Sequence, residues 1–329
     1  MTVLVTGSSG HLGEALMRTF RASGRAAIGL DIIPGPFTDE VASIADRVSV
    51  TRAMKGVDAV LHAATLHKPH VATHAREAFV ETNVLGTLTL LEAAARACVR
   101  AFVMTSTTSA FGDALKPPPD APAAWIDERV APVPKNIYGV TKTAAEDLCQ
   151  LFHRNEGLAV IVLRTSRFFP EEDDDPATRA AYPDDNSKAN EYLFRRVAIE
   201  DVVEAHLLAA ERAPRIGFGK YIISATTPFK PADCARLRVE APAVMSLRAP
   251  GWEEEYARRS WRMFPGIDRV YDNALARRDL GWRPKCDFAA VIARLSETGD
   301  IRGPLAREIG AKGYHAERFE GAPYPVAGG

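Results

Sequence analysis

The chain has 329 residues, a formal net charge of −1 at pH 7 and a hydrophobic content of 47%, all ordinary for a soluble globular protein. The near-neutral charge gives no indication of a nucleic-acid or membrane partner, and no apolar stretch has the length of a membrane span. The four cysteines lie far apart without metal-like spacing. We therefore expect a reduced, cytoplasmic protein with one large domain and a smaller lobe.

Short apolar runs alternate with helical patterns through the first half of the chain, which predicts a parallel sheet covered by helices on both faces. Ligands of such a sheet bind at the carboxyl ends of its strands. Residues 200–212 are predicted to form a further helix and 221–224 a late strand, before short helices and an irregular tail from about residue 300. The other predicted strands are 2–6, 26–31, 57–62, 101–106 and 158–163, and the other predicted helices are 11–23, 74–98 and 138–155.

A glycine-rich loop joins the first predicted strand to the first predicted helix. Strand, glycine turn and helix in this order predict a dinucleotide-binding site, with the pyrophosphate at the helix N-terminus. The first glycine serves the tight turn, the second lets the main chain approach the pyrophosphate, and the third allows close packing of helix and strand. The alternative is a tight turn without a ligand. The predicted cofactor contacts in this loop are Gly7, Ser9, Gly10, His11, Leu12 and Gly13.

Asp31 ends the second predicted strand. A carboxylate there accepts hydrogen bonds from the adenosine ribose hydroxyls and repels a 2′-phosphate. The alternative is a turn aspartate ahead of Pro34-Gly35-Pro36. Because no Arg follows Asp31 directly, the sequence favours NAD over NADP.

Histidines 62, 67, 70 and 74 follow one another around the end of the third predicted strand. No acid or thiol accompanies them, so we expect no metal. His67 lies in the loop close to the expected substrate mouth. We predict that it and His70, in the same loop, contact the substrate or shield the nicotinamide.

Residues 105–109, all Ser or Thr, end the predicted strand 101–106. One of these hydroxyls would hydrogen-bond the reacting oxygen of a substrate, whereas the alternative is a Ser/Thr turn. Spacing alone does not choose among them.

Tyr138 and Lys142 are four positions apart in a predicted helix, which places them on one face. A phenol has a pKa of about 10, and a neighbouring ammonium would stabilise the phenolate and lower that value. The tyrosine would then remove a proton from a substrate hydroxyl while hydride leaves for the cofactor. The alternative for such a pair alone is a solvated helix face.

Taken together, these motifs resemble an extended short-chain dehydrogenase/reductase of the NAD-dependent epimerase/dehydratase family. The resemblance implies a Rossmann-type fold, Thr107 as the catalytic hydroxyl, Tyr138 as the acid/base, and Lys142 as a ribose ligand that lowers the tyrosine pKa. It further places Ala63 and Ala64 along the adenine side of the cofactor groove, and Asn83 and Thr105 among the cofactor contacts. The matching segments are 6–13, Asp31, 60–64, 83–87, 106–112, 138–142, 196–206 and 279–284.

Several positions depart from the family pattern. Thr108 and Ser109 replace the acidic pair of the dehydratases, so we do not expect dehydration. Arg167 and Pro170 stand where nucleotide-sugar members carry Asn and Gly, and the acidic run that follows is an unfavourable neighbour for a diphosphate. Arginines at three positions are predicted to contact the substrate, although an exposed arginine is the alternative at each. These are Arg167, Arg196 and Arg248.

The sequence thus predicts an NAD-dependent epimerase or oxidoreductase acting on a secondary alcohol or ketone of a sugar or nucleotide-sugar-like substrate. Two alternatives remain: a dehydrogenase or reductase of a non-nucleotide hydroxy compound, and a non-catalytic NAD-binding regulatory protein. The predicted Rossmann domain comprises 1–166 and 196–224, and the predicted substrate-binding lobe 167–195 and 225–329. The resemblance also implies a homodimer through the helices at 74–98 and 138–155.

Overall fold

The strands of the computed structural model, which describes residues 1–313, form two sheets. The strands are β1 (Val3–Thr6), β2 (Ala27–Asp31), β3 (Glu40–Val41), β4 (Ala59–His62), β5 (Ala101–Thr107), β6 (Ala124–Ile126), β7 (Val160–Thr165), β8 (Phe218–Ile223) and β9 (Arg269–Tyr271). The large sheet is parallel throughout, in the order β3-β2-β1-β4-β5-β7-β8. Its order reverses between β1 and β4, and ligands of this fold bind at the carboxyl ends of the strands around that point.

Helices cover both faces of the large sheet, as the sequence predicted. They are α1 (His11–Ala22), α2 (Arg47–Ala53), α3 (Arg76–Phe79), α4 (Gly86–Arg96), α5 (Ile137–Glu156), α6 (Pro176–Ala181), α7 (Asp184–Glu191), α8 (Ile199–Ile216), α9 (Cys234–Arg248), α10 (Glu253–Arg258), α11 (Ala274–Asp279), α12 (Phe288–Thr298) and α13 (Pro304–Ile309). One core lies between the sheet and α1 with α8, and another between the sheet and α2, α4 and α5. Within residues 1–313, no helix combines the length and apolarity needed to cross a membrane.

β1 shows why the sequence forms this sheet. Val3 and Val5 face the core beneath α1 and α8, whereas Leu4 faces the core beneath α4 and α5. A strand covered on both faces needs apolar residues at successive positions, because successive side chains point in opposite directions. The continuous apolar run therefore predicts a central strand.

The predicted helix 74–98 is interrupted in the structure. Between α3 and α4 the segment Val80–Leu85 forms a π-helical stretch, a feature that commonly accompanies functional sites. Asn83 lies within it and is buried.

The smaller sheet joins distant parts of the chain. β6 pairs with β9 in parallel, with Ala124 opposite Arg269. α9, α10 and α12 pack in a separate core near this sheet, and Glu240, with φ −143° and ψ 45°, interrupts α9 just before Pro242.

The predicted domain division does not separate these cores cleanly. Trp282 belongs to the predicted lobe but packs in the core beneath α1 and α8, and its indole nitrogen donates to the carbonyl oxygen of Asp201 at 2.9 Å. The tail predicted to be irregular contains α13, which packs on α1 and α8. The rest of the predicted tail, from residue 314 onward, lies outside the described residues.

Candidate active site

A continuous cleft of about 1140 Å³ runs along the carboxyl ends of the central strands. Its walls contain all the predicted residues of the glycine-rich loop, together with Asp31, Ala63 and Ala64 at one end. Thr107 and Tyr138 line the middle. The cleft thus connects the predicted cofactor site to the predicted catalytic residues.

The glycine-rich loop is shaped for close approach of a ligand. Gly7 has φ +74°, and a Cβ atom there would lie 2.7 Å from the backbone nitrogen of Ala64. A Cβ atom on Gly13 would lie 1.8 Å from the carbonyl oxygen of Gly7, so both positions require glycine. At Gly10, which also lines the cleft, a Cβ atom would make one tight contact, 3.3 Å from the carbonyl oxygen of Gly7. This arrangement fits a dinucleotide pyrophosphate.

Asp31 is held at the edge of the cleft by two backbone groups. Its carboxylate accepts from the backbone nitrogen of Ser9 at 2.9 Å and from that of Ile33 at 3.0 Å. An ionised carboxylate offers about four acceptor sites. Acceptor capacity therefore remains for ribose hydroxyls, in agreement with the predicted preference for NAD.

Asn83 does not line the cleft, in contrast to its predicted role as a cofactor ligand. Its amide oxygen accepts from the Thr65 hydroxyl and the Leu66 nitrogen, both at 2.9 Å. Its amide nitrogen donates to the Leu66 carbonyl at 2.9 Å and to the Thr141 hydroxyl at 3.0 Å. Because every donor and acceptor of the side chain is used, Asn83 fixes the loop after β4 against α5 instead of binding a ligand directly.

The end of β5 is anchored on both faces. The Thr105 carbonyl accepts from the Lys142 ammonium at 2.7 Å, and the Thr105 hydroxyl lies 2.8 Å from Nε2 of His206. Nδ1 of His206 donates to the Val202 carbonyl at 2.8 Å, so Nε2 accepts from the hydroxyl. Burial lowers the pKa of His206 to about 4 and keeps it neutral. Sequence reasoning gave His206 no role, since only the tertiary fold brings it to Thr105.

Ser106 points to the opposite face and meets a buried ion pair. Its hydroxyl donates to Glu146 at 2.6 Å, and Arg164 donates to the same carboxylate at 2.6 Å. Lys220 lies 3.2 Å from it. Sequence reasoning missed Glu146, although its position one turn after Lys142 places both on one face of α5.

The predicted catalytic residues meet at this strand end. α5 begins beside β5, capped by Asn136, whose side chain accepts from the Gly139 nitrogen at 3.1 Å. This start places Tyr138 at the cleft, where its hydroxyl hydrogen-bonds with Thr107. Lys142 lies one turn deeper and is only 2% exposed. The Thr107 hydroxyl and the Tyr138 phenol therefore meet, and the Lys142 ammonium is held at the neighbouring Thr105 carbonyl.

The pKa of Tyr138 differs from the sequence expectation. Burial raises it to about 12, with the hydrogen bond to Thr107 opposing the rise. We expected Lys142 to lower this pKa, but burial dominates and the Lys142 ammonium is directed to the Thr105 carbonyl. Burial also lowers the pKa of Lys142 to about 8, while the Glu146 carboxylate raises it.

Of the four predicted substrate residues, two line the cleft and two do not. His67 lines the cleft, with its ring 4.8 Å from that of His70. Arg167 also lines it, but its guanidinium pairs with Glu191 at 3.1 Å. Arg196 pairs with Glu191 at 2.7 Å and lies outside the cleft lining.

The position of Arg248 contradicts its predicted contact with the substrate. It pairs with Asp233 at 2.6 Å and does not line the cleft, because α9 carries it into the separate lobe. Two other arginines line the cleft: Arg195, which the sequence offered as one of several possible phosphate ligands, and Arg269, which had no predicted role. In the described part of the chain, no group of three or more His, Cys, Asp or Glu side chains is arranged to hold a metal ion.

Comparison with known proteins places these features in a family. Residues 3–222 match the NAD dependent epimerase/dehydratase family. The dTDP-glucose 4,6-dehydratase of Streptomyces antibioticus is 30% identical over 331 residues, covering 89% of this chain and 91% of the relative. The NAD-dependent glucose-6-phosphate dehydrogenase of Haloferax volcanii is 28% identical over 178 residues, covering 49% of this chain and 66% of the relative. In another curated relative, the chain spans 40% of the protein's length.

A solved structure shows the same fold. The NAD-bound short-chain dehydrogenase/reductase superfamily protein from Agrobacterium tumefaciens superposes with a TM-score of 0.63 at 23% identity. The superposition covers 94% of this chain and 97% of that protein. The Rossmann-like architecture predicted from the sequence is thereby confirmed.

Proposed function

Since this chain belongs to the NAD-dependent epimerase/dehydratase family, we propose that it binds NAD and transfers hydride at a secondary alcohol or ketone of a sugar or nucleotide-sugar-like substrate. It would act as an epimerase or as an oxidoreductase. The observation that carries this proposal is the meeting of Thr107 and Tyr138 in the cleft that contains the glycine-rich loop, with Lys142 directly behind them.

NAD, when bound, supplies a hydride acceptor beside the reacting carbon. The glycine-rich loop would hold its pyrophosphate, Asp31 its adenosine ribose, and Lys142 its nicotinamide ribose. Ala63 and Ala64 would border the adenine side. The glycine cradle and the acceptor capacity of Asp31 support this placement.

Tyr138 would accept the proton from the substrate hydroxyl, and Thr107 would orient the reacting oxygen. Burial opposes formation of the phenolate, so the proton transfer requires positive charge nearby. Lys142, with a pKa of about 8, is largely protonated at neutral pH. Because its ammonium is held at the Thr105 carbonyl, it would contribute that charge together with the cationic nicotinamide ring of bound NAD. Its buried position excludes water that would screen the interaction.

A second candidate function is favoured by the ion pairs of the predicted arginines. Arg167 and Arg196 share the buried carboxylate of Glu191, which leaves less of their charge for a substrate diphosphate. A dehydrogenase of a smaller, non-nucleotide hydroxy compound would not require such a clamp. The relative from Haloferax volcanii is named for activity on glucose 6-phosphate.

Tyr138→Phe tests the proton transfer. We expect turnover to fall by about 10²-fold or more, whereas NAD affinity stays within about twofold because the phenyl ring is retained. Tyr182→Phe, outside the cleft lining, is the matched control. Preserved turnover in Tyr138→Phe would refute the mechanism.

A substrate panel separates the candidate functions. Nucleotide sugars, sugar phosphates and free sugars would be offered with NAD, and NADH formation and product stereochemistry recorded. Epimerised product with retained cofactor supports the epimerase, and net NADH supports the dehydrogenase. NAD binding without hydride exchange on any substrate would favour the non-catalytic alternative.

We also propose a homodimer in the cytoplasm. Four large apolar side chains are exposed on the two helices named by the resemblance: Val80, Leu85, Val140 and Leu151. Pairing these helices across a two-fold axis would cover them. A monomer in sedimentation equilibrium at micromolar concentration would contradict the dimer.

A further inference from the structure

The last described residues return to the predicted cofactor site. After α12 the chain crosses back to the large sheet, where Ile309 of α13 packs in the core with α1 and α8. The Glu200 carboxylate accepts backbone N–H groups at the start of α13 and fixes it there. The following residues, Lys312 and Gly313, then form part of the cleft wall that contains the glycine-rich loop.

Lys312 makes contacts with two separate segments at this point. Its ammonium forms an ion pair with Glu14, in the first turn of α1. Its backbone nitrogen donates to Glu171 of the acidic run at 3.3 Å and lies 3.2 Å from Nε2 of His11. The C-terminal segment and the acidic run therefore meet at the helix end that is shaped for a pyrophosphate.

Charge explains why a cation is needed there. Three carboxylates lie around this part of α1, those of Glu14, Glu171 and Glu308. Arg18 pairs with Glu14 at 2.8 Å and with Glu308 at 3.4 Å. Arg18 and Lys312 leave one of these three negative charges in excess, and loss of Lys312 would raise the excess to two, so an approaching pyrophosphate would meet stronger repulsion. Although burial opposes ionisation of Glu14, Lys312 and Arg18 hold its pKa below the usual value, so its charge persists.

We propose that Lys312 is a cofactor-binding residue, whose ammonium offsets Glu14 and attracts the pyrophosphate of NAD. The proposal rests on NAD binding under the proposed function. Lys312 is 25% exposed and lies at the cleft, so it reaches a ligand without rearrangement of the core.

The test compares NAD affinity of the full chain and of its Lys312→Ala and Lys312→Arg variants by isothermal titration calorimetry. We expect the dissociation constant of Lys312→Ala to rise about tenfold, in keeping with loss of one charged contact. Lys312→Arg should stay within about threefold of the parent chain, since the charge is kept. The defect of Lys312→Ala should shrink as salt is raised.

Lys285→Ala is the matched control, because Lys285 is 79% exposed and pairs with Glu204 at 3.7 Å, away from the cleft lining. It should bind NAD like the parent chain. Melting temperatures without NAD check folding: an unchanged value for Lys312→Ala with a smaller NAD-induced rise supports direct binding. Glu14→Gln in the Lys312→Ala background should recover part of the affinity, because the repelling carboxylate is removed.

The measurements on the parent chain and on Lys312→Ala distinguish failure of the Lys312 proposal from failure of the proposed function. If the parent chain binds NAD and Lys312→Ala binds it equally well, the role of Lys312 is refuted while the proposed function stands. If the parent chain does not bind NAD, the proposed function fails first and the role of Lys312 fails with it.

Discussion

Replacing Glu146 by Gln removes a buried carboxylate that lies among three cations at the base of the active site. Glu146 and Arg164 have side-chain exposures of 1% and 3%, and Lys220 lies 3.2 Å from the same carboxylate. Lys142 lies one turn away and is also buried. Asp147 lies 3.7 Å from Lys220 and still faces that cation after the change, whereas within the described residues Arg164 is paired with Glu146 alone.

The expected cost follows from this burial. Removing one partner of a buried ion pair destabilises a protein by about 3–5 kcal/mol, because the other charge stays buried. The amide of Gln keeps an acceptor for Ser106 and one for Arg164, so we expect the lower end, about 3 kcal/mol. The pKa of Lys142 should also fall below its present value of about 8, since the Glu146 carboxylate raises it.

Urea denaturation at pH 7 measures the free energy of unfolding, and Glu92→Gln is the matched control. Glu92 pairs with Arg47 on the surface, where the side chains are 28% and 52% exposed, so its replacement should cost about 0–1 kcal/mol. A loss for Glu146→Gln no larger than that of Glu92→Gln would refute the reasoning. So would an unchanged pH dependence of turnover, because it would show that Glu146 does not act on Lys142.

Three further outcomes are expected. Gly13→Ala should lower stability by about 1–3 kcal/mol, because its Cβ would lie 1.8 Å from the Gly7 carbonyl, whereas Gly10→Ala should fold normally and lose NAD affinity in calorimetry. Asp31→Ala should raise the affinity for NADP relative to NAD by about tenfold, measured by titration with both. The pKa of Lys142 is about 8 in the folded chain and has its ordinary value of 10.5 in the unfolded chain. Between these two pH values Lys142 is protonated in the unfolded chain and largely deprotonated in the folded one. Stability relative to Lys142→Met should therefore rise with pH in that window, by at most about 1.4 kcal/mol per unit in urea titrations at pH 8 and 9.5; a constant difference would contradict it.

The sequence predicted the parts of this protein whose physics is local. β1 requires apolar residues on both of its faces. The glycine-rich loop requires glycine at fixed positions. Both requirements are visible in a few adjacent residues of the sequence. Tyr138 and Lys142 are one helical turn apart, so their proximity follows from helix geometry. Thr107 was identified by resemblance and not by spacing, because five neighbouring hydroxyls offered the same chemistry.

The parts that were missed depend on contacts between distant segments. His206 reaches Thr105 from a separate helix, and no local pattern encodes this pairing. Asn83 was assigned to the ligand, whereas its four hydrogen bonds are made within the protein. Arg248 was assigned by charge alone, which does not reveal that Asp233 neutralises it. The contacts of Lys312 likewise join residues nearly three hundred positions apart.

The pairing of β6 with β9 has a consequence for making fragments of this protein. The family match ends at residue 222, yet β9 lies at Arg269–Tyr271. A fragment ending at 222 would leave β6 with an unpaired backbone edge, and unpaired edges promote aggregation. It would also lack Trp282, whose ring fills the core beneath α8. We therefore expect a fragment that ends with the matched segment to be less stable and more prone to aggregation than the full chain.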